Sequence, residues 1–133
     1  MLKKTITYTD YNGKERTEDF YFNLTKAELT QLENSVSGGI SDYIQQIKEA
    51  ENVPELIKLF KKIILISYGE KSEDGKRFMK KKHGELLADV FESTEAFNVL
   101  FMELATDAEA ATKFMNGVMP SDLEPIKQLP PSA

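Results

Sequence analysis

The sequence predicts an α+β fold, in which an N-terminal antiparallel β-hairpin packs on a mainly helical bundle of about six helices. Apolar residues alternate with polar ones in the first 24 positions and then recur at helical spacing. Capping residues and glycines separate the helical segments. The length of 133 residues suits one domain, which we expect over residues 1–120, followed by a flexible C-terminal tail over residues 121–133.

The hairpin is predicted over residues 2–24. Its apolar positions are Ile6 and Tyr8 in the first strand and Phe20, Phe22 and Leu24 in the second. A two-residue turn at Asn12-Gly13 would divide these side chains between both faces of the hairpin. A three-residue loop, Tyr11 to Gly13, keeps them together and places Leu2 opposite Phe22. We therefore predict a type I turn with Gly13 in the left-handed region of a G1 bulge.

Three helices are predicted over residues 26–35, 40–51 and 53–68. Thr25 and Glu28 form a capping-box pattern, Gly38-Gly39 interrupts the chain, and Asn52 can cap the third helix. Gly69 is expected to end this third helix. Its apolar face consists of Leu56, Ile57, Phe60, Ile63 and Ile64. Leu59 and Ile66 widen this stripe, which suggests a central helix contacted on more than one side.

Three further helices are predicted over residues 84–92, 94–105 and 107–117. Leu86, Leu87, Val90 and Phe91 mark the fourth helix; Phe97, Leu100, Phe101 and Leu104 mark the fifth; Ala108, Ala111, Phe114 and Met115 mark the sixth. Residues 70–83 are polar, with a turn at Ser72 to Gly75. Composition leaves open whether they form an ordered excursion or a mobile loop.

Composition offers little for catalysis or ligand chemistry. The chain has no cysteine, which excludes disulfides and thiolate zinc sites. His83 is the single histidine and has no second ligand at metal-binding spacing, so an exposed linker histidine is favoured. Every candidate acid or nucleophile stands alone. We predict no catalytic residues, no cofactor and no metal, and therefore not an enzyme.

The charge is negative overall but unevenly distributed. A net charge of −5 argues against nonspecific nucleic-acid binding. Basic residues dominate from Lys58 to Lys82, and residues Glu85 to Thr112 include acidic but no basic side chains. We favour the interpretation that these segments form two solvent-exposed faces that attract each other within the fold. The alternative is a charge pattern that a partner recognises. No stretch approaches the roughly 20 apolar residues of a membrane span, and no signal peptide is apparent, so a cytoplasmic protein is expected.

Some apolar residues lie beside the main helical stripes and are candidates for partner binding. On the fifth helix, Val99 and Met102 lie off the stripe, so this helix is apolar almost all round. It is either wholly buried, which is favoured, or it presents one flank to another chain; methionine suits such adaptable surfaces. The candidate partner-binding residues are Leu59, Ile66, Val99, Met102 and Met119.

Several segments resemble the tail assembly chaperones of long-tailed phages and prophages of Gram-positive bacteria. They are residues 2–13, Glu18 to Leu29, Tyr68 to Ser72, Gly75 to Phe78, Thr94 to Phe97 and Phe101 to Asp107. Together they cover most of the chain up to about Pro120.

The resemblance implies a non-enzymatic role in the cytoplasm of the bacterial host. Such chaperones are thought to bind the long, helix-rich tape measure protein, keep it soluble and help tail tube protein assemble around it. They are absent from the mature virion, and a translational frameshift often gives a longer second product.

Two other functions remain open from sequence. One is a structural tail component, such as a completion or capping protein. The other is a small RNA-binding regulator that uses Lys80 to Lys82. An apolar edge on the hairpin or on the fifth helix also makes self-association plausible.

Overall fold

The computed structural model describes residues 1–36 and 38–120, so the predicted tail at 121–133 lies outside the described residues. The six strands are β1 (Leu2–Thr9), β2 (Glu15–Phe22), β3 (Tyr68–Lys71), β4 (Phe78–Met79), β5 (Lys81–Lys82) and β6 (Glu85–Leu86). The six helices are α1 (Lys26–Ser35), α2 (Gly39–Glu49), α3 (Val53–Ser67), α4 (Leu87–Glu92), α5 (Glu95–Thr106) and α6 (Ala108–Val118). The predicted α+β class, with an N-terminal strand pair and about six helices, is confirmed.

The register of the β1–β2 hairpin is the predicted one. Leu2 pairs with Phe22, and the pairing continues to Thr9 opposite Glu15. Gly13 has φ +81° and donates its backbone N–H to Asp10 O at 2.9 Å. Only this even-with-even pairing puts the apolar side chains on one face, so burial of that face fixes the loop length.

The sheet extends beyond the hairpin, which the sequence did not predict. β3 pairs antiparallel with β2 through Tyr21 opposite Gly69 and Phe22 opposite Tyr68, and β4 pairs with β3. The strand order is β1-β2-β3-β4, and β5-β6 form a separate two-stranded ribbon. The polar segment 70–83 is therefore ordered into strands and a tight turn.

Two predicted helix boundaries are wrong for the same reason. α3 ends at Ser67, and Gly69 lies inside strand β3 instead of ending a helix. The predicted fourth helix over residues 84–92 begins only at Leu87, because Glu85 and Leu86 pair with β5. In both places a strand replaces the helical turn that local spacing favours. β3 pairs with β2 some 47 positions earlier, whereas β6 pairs with β5 only a few residues before it, and its two residues are too few to show a strand pattern.

The core lies where the hairpin meets α3, α5 and α6. Phe22 is fully buried, and its ring centroid lies 5.2 to 5.7 Å from those of Tyr68, Phe91 and Phe114. The aliphatic centre comes from α3, α5 and α6, and includes Ile63, Ile64, Leu100 and Val118. The aromatic cluster joins strands β2 and β3 of the sheet to helices α4 and α6.

Candidate functional site

A cleft of about 460 Å³ opens between α1, the C-terminal half of α3 and the β6–α4 junction. We call it the α1–α3–α4 cleft. Its lining consists of Glu28, Gln31, Leu32, Ser35, Lys62, Leu65, Ile66, Tyr68, Lys80, Leu86, Ala88 and Asp89. The walls are mainly apolar, and charges of both signs lie among the lining residues. This volume falls within the range of about 300–1,000 Å³ that is typical of ligand pockets.

The apolar wall continues onto the surface at the start of α4. Leu86 is 50% exposed, and Val90 is 44% exposed. Both residues line a neighbouring shallow depression together with Asp89, so the apolar surface continues from Leu65 and Ile66 past Leu86 to Val90. The sequence predicted both residues to mark the fourth helix. Val90 does lie in α4, whereas Leu86 belongs to strand β6.

Lys80 joins the segments that form one side of the cleft. Its Nζ donates hydrogen bonds to Ile66 O at 2.6 Å and to Asn23 O at 3.2 Å, and it lies 3.3 Å from Glu28 Oε2. Ile66 O is one of the last carbonyls of α3, which have no partner within the helix. The ammonium therefore caps α3 and ties it to the β2–α1 connection and to α1 itself.

Burial acts on the ionisable groups beside the cleft. Desolvation lowers the pKa of Lys80, and the nearby Glu28 carboxylate opposes this effect. Desolvation also raises the pKa of Tyr68 to about 12, with a smaller contribution from the carboxylate of Glu70. The tyrosine ring stacks on Phe91 with centroids 4.3 Å apart. At neutral pH Tyr68 is therefore uncharged and contributes an apolar ring to the cleft.

The structure separates the five predicted partner-binding residues. Ile66 is half-buried and lines the cleft. Leu59 is only 3% exposed and packs in the core, so its side chain offers no surface to a partner. Internal packing explains why α3 has an additional apolar residue at Leu59, because this central helix contacts α2, α4, α5 and α6.

The other three candidates lie outside the cleft lining. Val99 is 41% exposed and Met102 is 57% exposed, and their spacing puts them on the same flank of α5. We call this pair the α5 flank. Met119 is half-buried against the core just after α6. The α5 flank therefore remains a second exposed apolar surface, whereas Met119 packs mainly inward.

The lysines considered for RNA binding do not form a free basic cluster. Lys80 is committed to backbone carbonyls, and Lys82 Nζ lies 3.4 Å from Glu70 Oε1. His83 is exposed in the β5–β6 turn with φ +52°. The basic and acidic segments do attract each other at one point, where Lys61 Nζ lies 2.9 Å from Glu92 Oε2.

The described residues form neither a metal-binding cluster nor a membrane-spanning helix. Within residues 1–36 and 38–120, no group of three or more His, Asp or Glu side chains is placed to hold a metal ion. In the same described ranges, no helix has both the length and the apolar character that a membrane span requires.

Sequence reasoning missed most of the cleft. Leu65 lies in the apolar run Ile63 to Ile66, but nothing in that run distinguishes a core residue from a cleft residue. Lys80 bonds carbonyls that are 14 and 57 residues away. Such contacts leave no local signal, and so Lys80 was grouped with its lysine neighbours.

Comparison with known proteins agrees with the resemblance found in the sequence. A family model described as phage tail assembly chaperone matches residues 1–129. Among curated proteins and among solved structures, no significant match is found. The match spans nearly the whole chain and includes every strand and helix described above. The chain therefore belongs to the phage tail assembly chaperone family.

Proposed function

We propose that this protein binds the tape measure protein of its phage in the host cytoplasm, keeps it soluble and assists tail tube protein to assemble around it. The role is non-enzymatic, and the protein leaves before the virion matures. The α1–α3–α4 cleft is the client site. The single observation that carries this assignment is an apolar cleft that remains open after the domain has packed its core.

The cleft suits one face of an amphipathic client helix. Leu65, Ile66 and Leu86 supply apolar contact along its walls. Helix-in-groove recognition places apolar anchors in such a groove and leaves polar residues at its edge. A long helix-rich client repeats such faces many times, so a shallow and adaptable cleft serves better than one specific pocket.

The charges around the cleft fit the same kind of client. Lys62 donates a hydrogen bond to Ser35 Oγ at 3.1 Å and has no carboxylate within 4 Å among the described residues. Glu28 and Asp89 bring negative charge to the same lining. Rim charges of both signs favour particular registers of a client helix more than they raise affinity.

Co-expression tests the proposed function. The tape measure protein from the same gene cluster is produced in bacteria with and without this chain, and its soluble fraction is measured. We expect soluble tape measure protein only in the co-expressing cells, and co-purification through a tag on this chain. An insoluble and unbound tape measure protein would contradict the proposal.

Mass spectrometry of purified particles distinguishes the chaperone from a structural tail component. Peptides of a completion or capping protein would be present at a fixed number of copies per virion. We expect none from this chain, although the same peptides should be abundant in the infected-cell lysate. A constant stoichiometric signal in purified particles would favour the structural role.

A further inference from the structure

We propose that this protein forms a symmetric dimer in which the β1 strands of two copies pair antiparallel, edge to edge. The proposal concerns a surface away from the α1–α3–α4 cleft and does not rest on the proposed function. Three features carry it: the unpaired edge of β1, the distribution of charge along that strand and the position of the α5 flank beside it.

One edge of β1 has no strand partner among the described residues. β1 stands at the end of the strand order and pairs with β2 alone. The backbone N–H of Asp10 donates to Lys14 O at 2.8 Å, so in the ladder that follows the even-numbered residues of β1 are hydrogen-bonded to β2. The odd-numbered residues from 3 to 9 direct their backbone N–H and C=O groups away from β2. These groups form a template for another strand.

Little on β1 opposes such pairing. Edge strands are usually protected by proline, by a bulge or by charge. β1 has no proline, and its pairing with β2 runs without a bulge over all eight residues. Its only charged residues are Lys3 and Lys4, at the N-terminal end. Antiparallel pairing puts the lysines of two copies at opposite ends of the joined strands, whereas parallel pairing would put them side by side, so the charge favours the antiparallel arrangement.

Parity limits the register of this pairing, as it does in the hairpin. Because the odd-numbered residues present the outward backbone groups, they pair with odd-numbered residues of the second copy. A two-fold axis at Ile6 uses the whole strand and places Thr5 opposite Thr7 of the second copy. The joined edge then contains about eight backbone hydrogen bonds. The two four-stranded sheets become one continuous sheet.

The α5 flank lies beside the same edge. Among the strands, α5 packs mainly on β1. Tyr11 donates its hydroxyl hydrogen to Glu95 Oε1 at 2.9 Å, and Lys4 Nζ lies 3.1 Å from Glu103 Oε1, so the helix runs along the strand in the opposite direction. Val99 is four residues from each glutamate and therefore lies on the same side of α5. The two-fold axis puts both α5 helices on one face of the joined sheet, where their apolar flanks meet.

The pairing leaves the client site open. No residue of β1 or α5 is among the lining residues of the α1–α3–α4 cleft. Both clefts of the dimer therefore stay accessible, and an experiment on the β1 edge bears on the dimer alone.

A pair of proline variants of the full-length chain tests the edge. Thr7→Pro removes an outward N–H and no hydrogen bond to β2. Thr17→Pro is the matched control, because Thr17 is paired directly with Thr7 and its N–H points away from β1 at a position where β3 does not pair. Both variants lose the same hydroxyl contact between the two threonines, which is 2.9 Å long. Circular dichroism checks that both are folded.

Sedimentation velocity over a range of concentrations measures the dissociation constant of the dimer. We expect Thr7→Pro to raise this Kd by roughly 10-fold or more, because symmetry removes two hydrogen bonds and places two proline rings in the joined edge. Thr17→Pro should leave it within about threefold. A natural chain that sediments as a monomer at every concentration, or equal effects of the two prolines, would overturn the proposal.

Disulfide formation tests the register and does not depend on the proline variants. The natural chain has no cysteine, so Thr5→Cys and Thr7→Cys chains each contain one thiol, at an exposed position. The register places these two positions opposite each other, with Cα atoms about 5.5 Å apart, within the range that a disulfide spans. Two copies of the same variant would have their thiols on a diagonal of about 7–8 Å.

In an equimolar mixture, we therefore expect the mixed disulfide to form roughly 10-fold faster than either disulfide between identical chains. A random distribution of the three products would contradict edge pairing with its axis at Ile6. Since no client is present, failure of either experiment would leave the proposed function standing.

Discussion

At the scale of single residues, Gly69 controls how β3 and β4 pair. A Cβ atom at this position would lie 2.6 Å from the backbone O of Met79 and 2.6 Å from the ring of Phe78. The carbonyl belongs to the neighbouring strand and cannot rotate away like a side chain. Only glycine allows the two strands to approach this closely.

We therefore expect Gly69→Ala to lower the free energy of unfolding by about 1–3 kcal/mol, the range for overpacking a tight site. Gly117→Ala is the matched control, because the three atoms nearest to its Cβ all belong to the Leu2 side chain, and the nearest of them is a terminal methyl carbon at 3.0 Å. A gain in helix propensity of about 1 kcal/mol offsets that contact. Urea unfolding of both variants measures the difference, and equal effects would contradict the close-approach explanation.

The raised pKa of Tyr68, the residue before Gly69 in β3, predicts that the stability of the protein depends on pH. Its pKa is raised from 10.0 to about 12, mainly by burial, so the folded state disfavours the phenolate. A raised pKa gives stability that is fully present below pH 10 and is lost as the pH rises through about 12. The pKa of Lys80 is lowered instead. Lys80 is present both in the natural protein and in the Tyr68→Phe variant, so its contribution to the pH dependence of stability largely cancels in the comparison.

We expect Tyr68→Phe to lose less stability than the natural protein between pH 10 and pH 12. The difference is on the order of 1 kcal/mol once solvent screening of this half-buried ring is allowed for. Chemical unfolding at intervals across this window measures it. Parallel stability curves for the two proteins would show that the Tyr68 hydroxyl is not desolvated.

At the scale of elements, α1 forms one wall of the cleft and depends on its cap. Thr25 Oγ accepts a hydrogen bond from the backbone N–H of Glu28, and Glu28 Oε1 accepts one from the backbone N–H of Thr25. This reciprocal capping box satisfies two backbone donors that a helix start otherwise leaves to water. It also fixes the direction of the helix next to Lys80.

Replacing Thr25 by alanine should cost about 1 kcal/mol of stability, as is typical for loss of an N-cap. Thr30→Ala provides the control, because Thr30 lies exposed within α1 and its hydroxyl donates a hydrogen bond to the Lys26 carbonyl of the same helix. That variant should be neutral or slightly stabilising, since alanine has the higher helix propensity. Thermal unfolding of the two variants separates them; the capping interpretation fails if Thr30→Ala is the more damaging change.

Elements with strong local patterns could be predicted from sequence, and elements defined by distant partners could not. The register of β1 and β2 follows from the parity of Ile6 and Phe22, and α1 follows from its capping box. By contrast, β3 is four residues long and pairs with a strand some 47 positions earlier. Strands β4 to β6 have two residues each, too few to show any period.

At the scale of the whole molecule, the cleft exists because three separated parts of the chain meet. α1, the end of α3 and the β6–α4 junction each contribute a few lining residues. Of the predicted partner-binding residues, only Ile66 lies there, because helical spacing reveals which side chains share a face but not which faces remain uncovered. The α5 flank, whose residues Val99 and Met102 were predicted from the sequence, is the alternative surface for partner binding.

Affinity measurement decides between these two surfaces. A segment of the tape measure protein is titrated with the natural chain, with Leu86→Glu in the cleft and with Val99→Glu on the α5 flank. Both positions are about half exposed, so neither change should unfold the protein, and circular dichroism checks this.

A carboxylate in an apolar docking site typically costs at least 1–2 kcal/mol of binding energy, or roughly 10-fold in Kd. If the cleft holds the client, Leu86→Glu raises the Kd by roughly 10-fold or more and Val99→Glu leaves it within about twofold. The opposite ranking, or no loss for Leu86→Glu, would contradict the cleft as the site where this chaperone holds its client.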